Sequence, residues 1–259
     1  MKETNQRRRR PGLAWTSELK EAAYYNGYRG ECGEADGWLY FRNQEGVPGE
    51  IALAVGPDDD GSPWFLALDH PGVIAELDAE QATPPPGRFA AAYAFNARAE
   101  LHQAVSRVFH LARSVPDYPL RSFEQAVAHL GDTEAERFMR QRIGQDRFRS
   151  ALLYYWNGKC PLTGVTELAL LRASHIIPWA ECQSDAQRLD VHNGLLLAAS
   201  WDAAFDAGLV SVGDDGEVLL SNNLSIAARR MLADGDVPRL SLHERHRENL
   251  QWHRSRYEF

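Results

Sequence analysis

The chain has 259 residues, enough for one large domain or two ordinary ones, and its 44% hydrophobic and 25% charged residues are those of a globular protein. No run of about 18 apolar residues exists, which excludes a helical membrane span, and the stretch MKETNQRRRRPG lacks the apolar core of a secretory signal, so a cytoplasmic chain is expected. Cys32, Cys160 and Cys182 form an odd set without a C-x-x-C pair, so neither a disulfide framework nor a structural zinc is expected, and the net charge of −8 argues against a polyanionic partner for the chain as a whole.

Residues 1–10 end in Arg7 to Arg10, a basic tail expected to be disordered, with a phosphate-binding arm as the alternative. Residues 11–83 read as a small, acidic, mixed α/β module. A helix is expected over 16–25, capped by Thr16 or Ser17, with short strands at 38–41, 51–55 and 64–68 and a further helix starting at 73–77. Asp58, Asp59 and Asp60 fall in a PDDDG turn whose spacing lacks the alternating oxygen ligands of a calcium loop. Trp38, Trp64, Tyr24, Tyr25 and Tyr28 read either as the packing of a small core or as a base-stacking pocket.

Residues 84–87, three prolines and a glycine, read as a stiff linker and a domain boundary. Residues 88–131 read as a helical connector. Leu101, Val105, Val108, Phe109 and Ala112 line one helical face, Pro116 and Pro119 end that helix, and Gly131 stops another over 122–130. From 132 to 259 a second domain is expected. Asp132 or Thr133 caps a helix through 142, and an amphipathic helix follows at 145–156, with Phe148, Leu152, Tyr155 and Trp156 on one side.

Charge is unevenly spread. Residues 16–100 hold 15 acids and 5 bases, whereas residues 137–159 hold six basic residues against Asp146 alone. Residues 239–259 hold five arginines and three glutamates, with His243, His246 and His253 on an expected exposed helix. A polyanion would be repelled by the early part of the chain and attracted by the later part.

The densest pattern spans 160–212. Residues 168–174 read as a strand delivering His175 to its end before Pro178, followed by a polar loop over 179–191. Asn193-Gly194 opens a second strand at 195–199, and Ser200 caps a short helix over 201–207 ended by Gly208. Asp202 and Asp206, four residues apart, share one face of that helix. Strands at 210–212 and 218–220 flank a glycine-aspartate hairpin turn. His175 offers a base with a pKa near neutrality, and aspartate oxygens suit a hard divalent cation.

The series C-x-x-T-G, A-S-H-I-x-P-W, R-L-D-x-x-N-G-L-x-L and D-x-x-F-D-x-G-L resembles the HNH endonuclease family, closest to the bacterial branch whose last histidine is replaced by aspartate. The likeness extends from about residue 146 to the C-terminus. It implies an α+β chain whose C-terminal domain carries a ββα-metal finger. By that resemblance His175 is the general base, Asn193 orients the loop beside it, and Asp202 is a metal ligand with Asp206 as a second. Ser174 stands where many members place a metal-binding aspartate. Magnesium or manganese is the implied cofactor, DNA the implied partner, and restriction or anti-phage defence the implied setting, with 5′-phosphate and 3′-hydroxyl products. Without zinc-binding cysteine pairs, the finger is expected to be held by Leu170, Leu171, Leu195, Leu197, Phe205 and Leu209. Phosphate contacts are expected from Arg147, Arg149, Lys159, Arg172, His192 and Arg254. The acidic module is expected to recognise DNA, bind a protein partner or autoinhibit the nuclease. Ser174 keeps a catalytically weak nucleic-acid- or protein-binding module open as the alternative.

Overall fold

A computed structural model of the chain describes residues 11–115, 117–233 and 237–259; the basic tail over 1–10 and the helix stop at Pro116 lie outside them. The chain divides into two compact units, Met1–Arg113 and Ser114–Phe259. Both mix helices with antiparallel strands.

The first unit contains, in order, α1 (Leu13–Tyr25), β1 (Gly30–Ala35), β2 (Trp38–Arg42), β3 (Glu50–Val55), β4 (Trp64–Leu68), α2 (Pro71–Ile74), β5 (Gln81–Ala82), β6 (Ala91–Phe95) and α3 (Arg98–Ala112). Among the described residues the strands form one six-stranded antiparallel sheet, ordered β1-β2-β3-β4-β6-β5. The runs EIALAV and WFLAL are apolar throughout because β3 and β4 lie centrally and are covered on both faces. One face meets α1 and α3, where Leu101, Val105, Val108 and Ala112 are buried as their spacing predicts. The other gathers Trp38, Ala52, Ala54, Phe65, Ala67, Phe89 and Ala92. Trp38, Trp64 and Tyr28 are therefore core residues, whereas Tyr24 and Tyr25 are exposed on α1. Asp60 accepts from the Ser62 amide and hydroxyl, so the aspartate run is a hydrogen-bonded turn.

Two expectations for this region are corrected. The helix begins at Leu13 behind Gly12, ahead of Thr16 and Ser17. The proline stretch is also not a boundary. It joins β5 to β6, which pair through Gln81–Tyr93 and Ala82–Ala92, so the sheet needs residues on both sides of it. The segment expected as a helical connector is divided accordingly: β6 and α3 belong to the first unit, and the next helix to the second.

The second unit runs α4 (Asp117–Val127), α5 (Glu134–Tyr155), β7 (Leu171–His175), α6 (Asp185–Leu189), a 3-10 turn (Val191–Asn193), β8 (Gly194–Ala198), α7 (Ala199–Asp206), β9 (Val210–Val212), β10 (Val218–Leu220), α8 (Ile226–Leu232) and α9 (Glu244–Tyr257). Pro119 lies inside α4 rather than ending a helix. Thr133 caps α5 reciprocally with Glu136. That helix is continuous through Gly144, where two helices were expected. A side chain at 144 would meet Trp179 at 2.3 Å, so this glycine marks a close approach, not a break.

Strands β7 and β8 pair antiparallel with His175 opposite Gly194, and α7 packs on both, giving the ββα order. Leu171, Leu195, Leu197 and Phe205 fill its core as expected, but Leu170 is 52% exposed because the strand starts only after it, and Leu209 is only partly buried. Ser200 lies within α7, whose N-cap is Ala198. Strands β9 and β10 form the expected hairpin.

Candidate active site

A cavity of about 480 Å³ opens beside the ββα element, lined among others by Arg172, Ser174, His175, Asp202, Asp206 and Trp252. Strand β7 brings Ser174 and His175 to it in succession, and one face of α7 brings both aspartates. Four expected site residues thus converge.

The His175 ring stacks on Phe148 at 3.7 Å between centroids and meets Trp179 edge-on at 5.7 Å. Its Nε2 lies 2.9 Å from the Arg188 carbonyl. A carbonyl only accepts, so Nε2 carries the proton and Nδ1 keeps the lone pair. Among the described residues Nδ1 has no hydrogen-bond partner, and it is open to the cavity. Burial pushes the pKa of His175 down to about 4, with the Arg188 carbonyl opposing, which corrects the near-neutral value expected from sequence. The imidazole is therefore neutral over the physiological range.

Both carboxylates are held above the usual range. For Asp202 the cause is burial, opposed by the Ser174 hydroxyl and the Arg172 charge. For Asp206 burial is joined by the neighbouring charge of Asp202, and Ser174 again opposes. The Ser174 hydroxyl donates to Asp206 Oδ1 at 3.5 Å. Two neighbouring carboxylates raised by burial, Asp206 also by the charge of Asp202, form an oxygen-only pair of the kind that suits a hard divalent cation.

Asn193 is fully buried. Its Oδ1 accepts from the Ile177 amide at 2.8 Å, and its Nδ2 donates to the carbonyls of Ile177 and Gln187, each at 3.2 Å. It lies behind the cavity wall and ties the loop after β7 to the turn before β8. Arg188, which sequence reading did not single out, binds the same loop. Its guanidinium donates to the carbonyls of Trp179 and Cys182 and pairs with Asp185.

The expected phosphate-binding residues separate into two groups. Arg147 and Lys159 are exposed, and Arg172 is exposed at the cavity rim while donating to the Ala169 and Leu171 carbonyls. The others are committed to the fold. Both terminal nitrogens of Arg149 donate at 2.8 Å, to the carbonyls of Leu171 and Leu168, pinning the entry to β7. Arg254 donates to the Val212 carbonyl and pairs with Asp214. His192 is 2% exposed and holds Asp190 through Nδ1 at 3.0 Å, so it is no surface contact.

Helix α9 is likewise packed, not exposed: His246, Leu250 and His253 are buried. His253 donates from Nε2 to the Phe205 carbonyl at 3.1 Å and accepts from the Ser211 hydroxyl at Nδ1, 2.9 Å away. The Tyr257 hydroxyl donates to the Asp206 carbonyl at 2.9 Å. These contacts fasten the end of α7. The spacing 246, 250, 253, 257 is a helical stripe in the sequence, and it was the signal for this packing.

Comparison with curated proteins finds no match. Residues 160–213, which include His175, Asn193, Asp202 and Asp206, match the sequence model of the HNH endonuclease family. The chain carries an HNH endonuclease family domain in its second unit.

Proposed function

We propose that the chain is a metal-dependent endonuclease that hydrolyses DNA phosphodiester bonds, acting in restriction or another anti-phage system. The observation that carries this reading is the Nδ1 lone pair of His175, set by the Arg188 carbonyl and open to a cavity shared with Asp202 and Asp206. In this role His175 removes a proton from water at Nδ1, and the Arg188 carbonyl steadies the cation formed. The low pKa leaves the imidazole free to accept a proton at neutral pH. Asp202 and Asp206 would hold Mg²⁺ or Mn²⁺, with the Ser174 hydroxyl beside them. A cation bound there supplies charge stabilisation to the phosphate and the leaving oxygen. Asn193 keeps the loop after His175 in place, and Arg172 offers positive charge to a phosphate at the rim. The first unit, acidic over 16–100, is assigned to recognition or to binding a protein partner, since its charge opposes a phosphate backbone.

Supercoiled plasmid provides the test. Wild type should nick or linearise it with Mg²⁺ or Mn²⁺ and not with chelator. His175→Ala should be slower by about a hundredfold or more, the contribution typical of a positioned general base. The reading is overturned if wild type cuts neither modified nor unmodified DNA, or if His175→Ala cuts as fast. A chain that binds DNA without cutting would be the binding module that Ser174 leaves open.

A further inference from the structure

Trp252 stands apart from the other aromatic residues of the cavity. The Trp179 ring is occupied: Gly144 lies against it, the Arg188 guanidinium sits 5.6 Å from its centroid, and His175 meets it edge-on. Tyr257 is held by Gly208, by His253 and by its hydroxyl bond to Asp206. Trp252, on α9, lines the same cavity and is half-buried, yet among the described residues no aromatic ring or guanidinium packs on it. Arg172 stands exposed at the rim.

A half-buried indole that lines a cavity proposed for phosphodiesters, with no ring or guanidinium stacked on it among the described residues, suits a planar, apolar partner. The groups next to any scissile phosphate are nucleosides, and a base offers its face only when it has left the duplex stack. In paired DNA both faces are covered and only edges reach a groove. We infer that Trp252 is a stacking platform for an unpaired base adjoining the scissile phosphate, so that the preferred substrate is DNA that is single-stranded or locally unpaired at the cut. This rests on the nuclease reading above. Arg172 at the rim supplies the backbone charge that accompanies such platforms in single-strand binding.

The test measures binding and cutting separately. Fluorescence anisotropy, in chelator, follows the full chain with a labelled single strand, the same strand with abasic residues at its centre, and the matching duplex. Wild type should bind the base-bearing strand about tenfold more tightly than the abasic one, the size expected for one stacked base. Trp252→Leu should lose that preference and leave abasic binding unchanged, and Trp252→Phe should keep most of it. Unfolding midpoints check that both variants fold, and the abasic comparison on wild type needs no variant. Equal binding of base-bearing and abasic strands by wild type overturns the inference, as does equal cutting of duplex and bubble DNA, which leaves the nuclease reading intact. Base-dependent binding with no cutting of any DNA sinks the nuclease reading and leaves the stacking platform standing.

Discussion

Asn193 spends its whole amide inside the protein, with its oxygen on the Ile177 amide and its nitrogen shared among the carbonyls of Ile177 and Gln187 and the Cys182 sulfur. Asn193→Ala strands those groups in a buried place, and each unsatisfied group costs about 1–3 kcal/mol. Asn193→Asp keeps the acceptor but turns a second oxygen toward two carbonyls, so it should destabilise at least as much. Chemical denaturation should show both losses, with nicking reduced alongside. At this scale the sequence was legible where chemistry follows spacing. Asp202 and Asp206 fall on one helical face because they are four apart, and His175 sits at a strand end. It was illegible for Arg149, Arg254 and His192. A charge in a sequence does not say which carbonyl or carboxylate will lie within its reach, and in all three cases one does.

At the scale of elements, the site depends on how α5 meets the two-stranded ribbon. Phe148 is the wedge, stacked on His175 and so close to Gly194 that a side chain there would lie 2.4 Å from its ring. The glycine after Asn193 is thus demanded by packing across the β7–β8 pair, and its backbone is extended, so the familiar turn role of Asn-Gly does not explain it. Gly194→Ala should cost about 1–3 kcal/mol, the usual penalty for overpacking, and should slow nicking by displacing Phe148 from His175. Phe148→Leu should restore part of the stability lost by Gly194→Ala, a coupling that a double-mutant cycle in urea would measure. The ββα order was readable because glycine and proline punctuate it. The unbroken run of α5 was not, since a glycine inside a helix looks the same whether it ends the helix or admits a tryptophan. Strand β6 was misread as helix because AAYAF has no period that separates the two.

For the molecule as a whole, the charge asymmetry was visible in the sequence but the division was not, because a proline stretch serves a strand connection as well as a linker. Proton binding is a second whole-molecule property. His175 and His253 are both held neutral to about pH 4 by burial, whereas an unfolded histidine titrates near about 6.5. Between those values the unfolded chain binds protons that the folded chain refuses. Their contribution is therefore intact above about pH 6.5 and lost as pH falls toward about 4. Asp202 and Asp206, raised instead, oppose that loss at the acid end. The unfolding midpoint should drop between pH 7 and 5, roughly the upper part of that window, and two histidine ring signals should stay unshifted there by NMR. A flat midpoint or a full set of titrating histidines would contradict the buried neutral pair.

Helix α9 fastens the end of α7 from far along the chain: Tyr257 reaches Asp206 across 51 residues and His253 reaches Phe205 across 48. His175, Asn193, Asp202 and Asp206 are all synthesised before the helix that fastens the end of α7. A growing chain would hold the histidine, the asparagine and both aspartates without their final arrangement until α9 has been made and has docked. For the proposed nuclease, the order of synthesis delays competence to cut until the clamp is complete.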